Sequence, residues 1–489
     1  MEKIRARVAY TNHLSEEFAW LYEVAARMKS RLGNVANRRE KIWHPMYFVY
    51  QTLTLIFLPA IFLYWIAKML WRGEYLMGLG ERFGTIRPEG PARLVHGSRG
   101  LRRMPMEPQT ELCFWVHAVS VGEVMAATPL IKTLQGRFPR SRIVLSTMTL
   151  AGRKTAQKNC PDIDVVMYFP VDFFLIVDKV IAQIDPTIFL PVETDIWPTL
   201  VQRLSRRKIP CILVNGRVSR RRVRYGLFFG PVFRKLTFFC MQTDIDVERL
   251  LELGVDRGKI TRTGNLKFSQ AMSINPSSTV CPLKLPHKAH LLIGGSTHEG
   301  EEIELLRCYR AISARRQGIF LLVAPRHLER LERVEKLVRT HGFDSVRWSR
   351  LDGDMPKNSV VLLDTMGELS MTYALASVVF VGGSWVSRGG HNVLEPAASG
   401  KPVFFGPYME NYSSIAANLV RVGAAIQVQN GEELAEALQG LLDRPAELRE
   451  MGQKGRSFVL ENQGAVERTL EVIERTLCPR PNGAGVKMA

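Results

Sequence analysis

The sequence lacks the close-spaced cysteine pairs on which zinc modules and thiol-redox motifs are built. Its seven cysteines, Cys113, Cys160, Cys211, Cys240, Cys281, Cys308 and Cys478, are scattered, and none stands in a CxxC. An odd set of cysteines within apolar runs reads as reduced, buried thiol in a cytosolic body, without a zinc site. Neither a Walker lysine motif nor a cysteine–histidine cluster occurs, so no obligatory metal and no cofactor are expected. There is no finger spacing, RNA-binding signature or base-reading basic helix, which argues against nucleic acid as a partner. Acidic residues are in deficit, 47 against 66 Lys plus Arg, for a net charge of +19. With nucleic acid set aside, that excess points to an anionic membrane surface or a phosphorylated substrate.

What is present is globular. Hydrophobic residues make up 46% and charged residues 23% of 489, more chain than one core usually holds, so two domains are expected. Residues 1–44 read as a leader of unknown role. Pro45–Ala67 contains no charge, and as a helix it reaches roughly 34 Å, enough for a hydrocarbon core of about 30 Å. Tyr47, Tyr50, Tyr64, Trp65 and Trp71 sit towards its ends as interfacial aromatics do, so residues 45–71 are expected to form a membrane-anchor helix. Pro59 would kink it, and a segment lying in the interface fits as well. The basic residues that follow, from Lys68 to Arg103, put the main body on the cytoplasmic side, although Arg38, Arg39 and Lys41 dilute that argument.

Beyond a basic linker over 72–110, short apolar strands alternate with helical patterns. Leu112–Val116, Arg142–Ser146, Val165–Tyr168, Thr187–Leu190, Cys211–Val214 and Phe238–Met241 make one set. His290–Ile293, Ile319–Val323, Val360–Leu363, Val378–Val381 and Pro402–Phe405 make another. Alternation of this kind predicts an α/β protein with two doubly wound, Rossmann-like domains, 111–268 and 289–477, facing a cleft. A Ser- and Pro-containing linker, 269–288, separates them, and 478–489 reads as a flexible tail.

The candidate chemistry gathers at strand ends. Glu123 opens a helix after a strand and a loop carrying His117 and Ser120; there a helix dipole would keep it ionised, ready to accept a proton, or it merely complements the dipole. His117 is a weaker base candidate that also fits a role in ordering the loop. In PVETDIWP, Glu193 lies where strand turns to loop and Asp195 is placed as an N-cap. Arg217, Arg220, Arg221, Arg222 and Arg224 stand beside Leu227, Phe228 and Phe229, a mixture suited to a phosphorylated lipid, or simply a solvated basic loop. Lys267 in GNLKF is placed to neutralise an anion. Arg326, after Pro325, has the planar fork that binds oxyanions, and the backbone of Met366, Gly367 and Glu368 is placed to read a base edge. In Val378–Pro407, Gly382, Gly383 and Ser384 lead through Gly389-Gly390-His391 to a helix from about Val393 to Ser399, with Asn392 and Glu395 at its opening turn. Free backbone N–H groups and the dipole of that helix would face a phosphate; the plainer alternative is glycines serving turn geometry alone.

Taken in order, HAVSVGE, PVETDIWP, NGRVS, GNLKF, APRH, DTMGEL and VGGSWVSRGGHNVLEP resemble the Kdo (3-deoxy-D-manno-octulosonic acid) transferase family of lipopolysaccharide assembly. The resemblance runs from about Tyr47 to the C-terminal helices. It implies a GT-B glycosyltransferase, metal-independent and inverting, on the cytoplasmic side of a bacterial inner membrane. The first domain would bind a lipid A precursor and the second CMP-Kdo. By motif, Glu123 is implied as general base, with Glu193 and Lys267 assisting. Pro325, Arg326, Met366, Gly367, Glu368, Gly383, Ser384, Asn392, Val393, Leu394 and Glu395 are implied for CMP-Kdo, and Ser120, Arg217, Arg220 and Arg222 for the acceptor. Two rivals remain at this point: another membrane-associated nucleotide-sugar transferase on the same fold, and an inactive, membrane-tethered binding protein.

Overall fold

In the computed structural model, residues 47–56, 59, 76–86, 112–270, 283–287, 289–351, 353–354 and 358–478 are described. The leader, the tail beyond Cys478, most of the 72–110 linker and residues 271–282 lie outside them, as do 45–46, 57–58 and 60–71 of the expected anchor. Residues 47–56 are helical. Among the described residues no helix is long and apolar enough to cross a membrane. Within the stretch expected as linker, Leu76–Arg82 is a helix, and Glu81 is buried against Arg153 at 2.7 Å.

The chain divides into two compact units, residues 1–264 with 466–489, and residues 265–465. In the first, β1 (Cys113–His117), β2 (Arg142–Thr147), β3 (Val165–Tyr168) and β4 (Ile188–Pro191) form a parallel sheet in the order β3-β2-β1-β4. A second parallel sheet runs β5 (Ile212–Gly216), β6 (Phe238–Met241), β7 (Ile260–Arg262). Parallel bridges Phe189–Cys211 and Val192–Val214 carry β4 into β5, so the seven strands read 3-2-1-4-5-6-7. Every residue of β1 is buried, as expected for a central parallel strand covered on both faces. Trp115 packs edge-on against Phe189 at 4.8 Å.

The second unit contains β8 (Leu283–Lys284), which pairs with β12 (Gly353–Asp354), and a seven-stranded sheet. That sheet comprises β9 (His290–Thr297), β10 (Ile319–Pro325), β11 (Asp344–Arg347), β13 (Ser359–Leu362), β14 (Val378–Val381), β15 (Val403–Phe405) and β16 (Ala425–Gln427), in the order β11-β13-β10-β9-β14-β15-β16. Successive residues of β14 serve opposite cores: Val379 and Val381 join one, Val378 and Phe380 the other. Burial of side chains of this size contributes roughly 1.5–3 kcal/mol each, and the alternation explains why the strand reads as one apolar run. Both sheets are doubly wound, and the chain changes direction between β1 and β4 in the first unit and between β9 and β14 in the second. Ligands of such sheets bind beyond the strands' carboxyl ends at that switch.

The helix Ala465–Leu477 departs from the expected division. From Val466 on it belongs to the first unit, where Arg468 Nε donates to the Thr263 carbonyl at 2.8 Å and Arg475 lies 5.1 Å over the Phe238 ring. Lys267, expected in the first domain, falls in the second unit.

Candidate active site

Glu123 stands on the third residue of the helix Val121–Arg137, at the switch point of the first sheet. Its carboxylate turns back on the preceding loop: Oε2 accepts from Val119 N–H at 2.8 Å and Oε1 from Ser120 Oγ at 3.3 Å. The helix start was expected to hold it ionised. Instead burial, with Glu193 and Asp195 nearby adding repulsion, outweighs the Val119 amide and pushes its pKa up to about 7. A carboxyl that exchanges its proton near neutrality is what a general base requires.

Around it the loop residues sort into support and surface. His117 is fully buried, its ring tilted against Phe169 at a centroid distance of 4.0 Å, with Nδ1 against the Ser146 carbonyl at 3.1 Å. Burial holds its pKa near 3, so it is neutral and orders the loop. Glu193 adopts a left-handed φ of 61° and donates its N–H to the Val214 carbonyl, which tilts this residue out of line with β4. Asp195 does not cap the following helix. Trp197 holds that position without a side-chain bond, and the cap comes from Asp172, whose carboxylate accepts from Thr199 N–H at 2.8 Å and Leu200 N–H at 2.9 Å. Asp195 faces Arg222 at 3.9 Å, and the Arg222 guanidinium also donates to the Thr194 carbonyl. Of the basic cluster, then, Arg222 braces the Glu193–Asp195 loop, while Arg217, Arg220, Arg221 and Arg224 are exposed.

In the second unit three strand ends supply the candidate groups. Arg326, exposed after β10, donates its N–H to the Thr297 carbonyl and leaves its guanidinium beside Glu395. Asn392 accepts from Leu394 N–H at 3.0 Å and donates to Glu395 Oε1 at 2.9 Å. The helix that follows is only Leu394–Ala398, too short for a sizeable dipole. Val393 and Leu394 have fully buried side chains, so only their backbone is offered to a ligand. After β13, Met366 is 62% exposed, Gly367 takes φ 91°, and Glu368 is fixed by Trp348 Nε1 at 2.7 Å and Thr365 Oγ1. Lys267 reaches the Asn411 carbonyl at 3.3 Å and lies 5.3 Å over the Tyr412 ring; Asn411 in turn holds the Arg388–Gly390 loop.

The glycine turn differs most from expectation. The N–H groups of Gly383, Ser384 and Trp385 do not face outward; with His298 N–H they converge on the buried Glu301 carboxylate at 2.7–3.0 Å. Ser384 Oγ bridges the Val381 carbonyl and Gly406 N–H. Gly390 and His391 donate to the Gly383 and Gly382 carbonyls. Gly382 is required by close approach, since a Cβ there would lie 2.5 Å from the Ser296 carbonyl oxygen. Among the described residues no group of three His, Cys, Asp or Glu side chains is placed to hold a metal ion.

The profile of the family described as 3-Deoxy-D-manno-octulosonic-acid transferase (kdotransferase) matches residues 77–270. The 3-deoxy-D-manno-octulosonic acid transferase of Haemophilus influenzae is 31% identical over 434 residues, covering 87% of this chain and 98% of that protein. The chain belongs to the Kdo transferase family. The family's enzyme from Chlamydophila psittaci is 29% identical over 436 residues, 86% of this chain and 95% of its own. Among solved structures, Acinetobacter baumannii MurG matches with a TM-score of 0.50 at 14% identity, over 75% of this chain and all of its own. The Staphylococcus aureus MnaA–UDP structure matches at 0.50 and 14%, over 76% of this chain and all of its own. At that identity they speak to fold, the GT-B type. The groups that residue-by-residue reading missed in this Kdo transferase are Glu301, Asp172 and His298. Each acts on residues 27 to 93 positions away, and no local pattern signals such pairing.

Proposed function

We propose that the protein transfers Kdo from CMP-Kdo to a lipid A precursor in lipopolysaccharide assembly, with inversion and with Glu123 as general base. The observation that carries the reading is Glu123 itself: a carboxyl at a sheet switch point, oriented by the Val119 amide and poised to exchange a proton near neutral pH. Glu123 takes the proton of the acceptor hydroxyl. The freed oxygen attacks the anomeric carbon of Kdo, and the bond from that carbon to the CMP phosphate oxygen breaks with its electron pair. CMP leaves with a charge that Arg326 and Lys267 meet, so the chain's own cations supply what a metal would otherwise contribute. Asn392, Glu395 and the Met366–Glu368 loop hold the nucleotide.

A phosphorylated lipid acceptor accounts for the surface of the first unit. Phe48 and Ile56 are 71% and 62% exposed on the N-terminal helix, and Tyr225 borders the exposed arginines. Both features suit a cytoplasmic-side membrane surface. Glu123→Gln, assayed with CMP-Kdo and a tetraacylated lipid A precursor, should lose at least about 100-fold in transfer rate while binding CMP as the parent does. Transfer at the parent rate, or CMP binding lost together with transfer, overturns the assignment of the base.

A further inference from the structure

Three histidines gather at the carboxyl ends of the second sheet and have no part in the reaction as written. His298 follows β9, His327 follows β10, and His391 stands in the loop after β14. The His298 and His391 rings are parallel within 6°, their centroids 5.1 Å apart and their Nε2 atoms 2.8 Å apart. His327 meets His298 edge-on at 5.6 Å. Two Nε2 atoms at that distance share one proton, so one ring donates and the other accepts.

The fold is arranged to bring them together. Glu301 accepts from His298 N–H and from the first three amides after Gly382, which fastens the two strand ends to each other. Gly383, at φ 69°, gives the His391 ring its seat; a Cβ there would meet Cδ2 at 2.9 Å. The His391 N–H then closes the loop on the Gly382 carbonyl.

The surroundings are cationic. Arg326, Arg330, Arg388 and His327 act on His298, and Arg326 and His327 on His391. The neighbouring carboxylates are already engaged: Glu301 by the four amides, Glu302 by Arg330 at 3.0 Å, Glu395 by Asn392. Arg326 and Arg388, both exposed, remain as the cations open to a ligand. Burial and this field hold each histidine down to about 4, so the pair is uncharged at neutral pH. An activated sugar acid carries two anions, the phosphodiester and the carboxylate on the anomeric carbon. Arg326, next to Asn392 and Glu395, suits the first.

We infer that His298 and His391, with Arg388, form the subsite for the sugar carboxylate of the donor. The inference rests on the donor reading above. A carboxylate inserted at the pair takes the Nε2–H that the rings share, and the added negative charge draws a proton onto the vacated nitrogen. Donor binding is thereby coupled to proton uptake. The pair binds and orients the sugar, and it is not the base.

Calorimetry on the purified full chain at pH 6, in buffers of different ionisation enthalpy, tests this on the parent protein. Uptake of roughly one proton with CMP-Kdo is expected; uptake near zero overturns the subsite. His391→Asn and His298→Gln should weaken CMP-Kdo binding at least about tenfold and leave CMP binding within about twofold. Equal losses for CMP and CMP-Kdo, or no loss for either, overturn it as well. If the parent binds CMP but not CMP-Kdo, the donor reading itself fails, an outcome distinct from binding without proton uptake.

Discussion

Glu123 ties two measurements to a single proton. As a base it works ionised, so transfer at saturating donor should rise with pH through about 7 and level off above. Burial is the main cause of the raised value, but the carboxylates of Glu193 and Asp195 add to it. Asp195→Asn should therefore move the inflection to lower pH, and an unmoved inflection would assign the ionisation to another group. The sign for stability is opposite. A carboxyl raised from 4.5 in the fold contributes fully below 4.5, and that contribution is lost as pH rises towards 7. Glu123→Gln should accordingly raise Tm at pH 8 and leave it nearly unchanged at pH 4, which a pair of thermal melts checks.

At the scale of elements, the loop after β14 depends on Glu301 more than on its glycines. Glu301→Ala leaves four N–H groups without their carboxylate, those of Gly383 and Ser384 buried, at a cost of about 3 kcal/mol, and loosens the loop from the end of β9. Urea unfolding should show that loss, with CMP affinity falling beside it. The strands that build this frame were legible wherever the sequence is a continuous apolar run, at the sheet edge as in Val165–Tyr168 or inside it as in Phe238–Met241 and Val378–Val381. Missed were the two-residue β8 and β12, and β7, β11 and β16, of three or four residues, whose Arg262, Asp344, Arg347 and Gln427 break any apolar signal. The candidate site was legible to the same extent. Glu123, Arg326 and Glu395 follow from strand-to-helix turns that sequence patterns reveal. What turns the Gly383 amides inward, or gives Asp172 the cap that Asp195 was expected to make, is contact between distant segments.

For the whole molecule, part of the net charge of +19 acquires a location. Arg217, Arg220, Arg221 and Arg224 lie together on the first unit, and Tyr50 of the helical segment 47–56 donates to the buried Asp172 at 3.0 Å. Arg220→Ser with Arg224→Ser should weaken sedimentation with anionic vesicles by about 1 kcal/mol per arginine, the loss shrinking as salt rises. Vesicles of neutral lipid should not distinguish the variant from the parent.

The return of the helix Ala465–Leu477 to the first unit bears on how the protein is made. Val466, Thr469, Val472 and Ile473 are buried, and Thr469 reaches the fully buried Cys240. The flank of the first unit that they cover stays open while the intervening 200 or so residues are synthesised, roughly 10–40 s at ribosomal rates. During that interval Phe238 and its neighbours are exposed on the nascent chain. The unit translated first is therefore the unit completed last, and a ribosome stalled within residues 265–465 leaves a polypeptide whose first domain is unfinished.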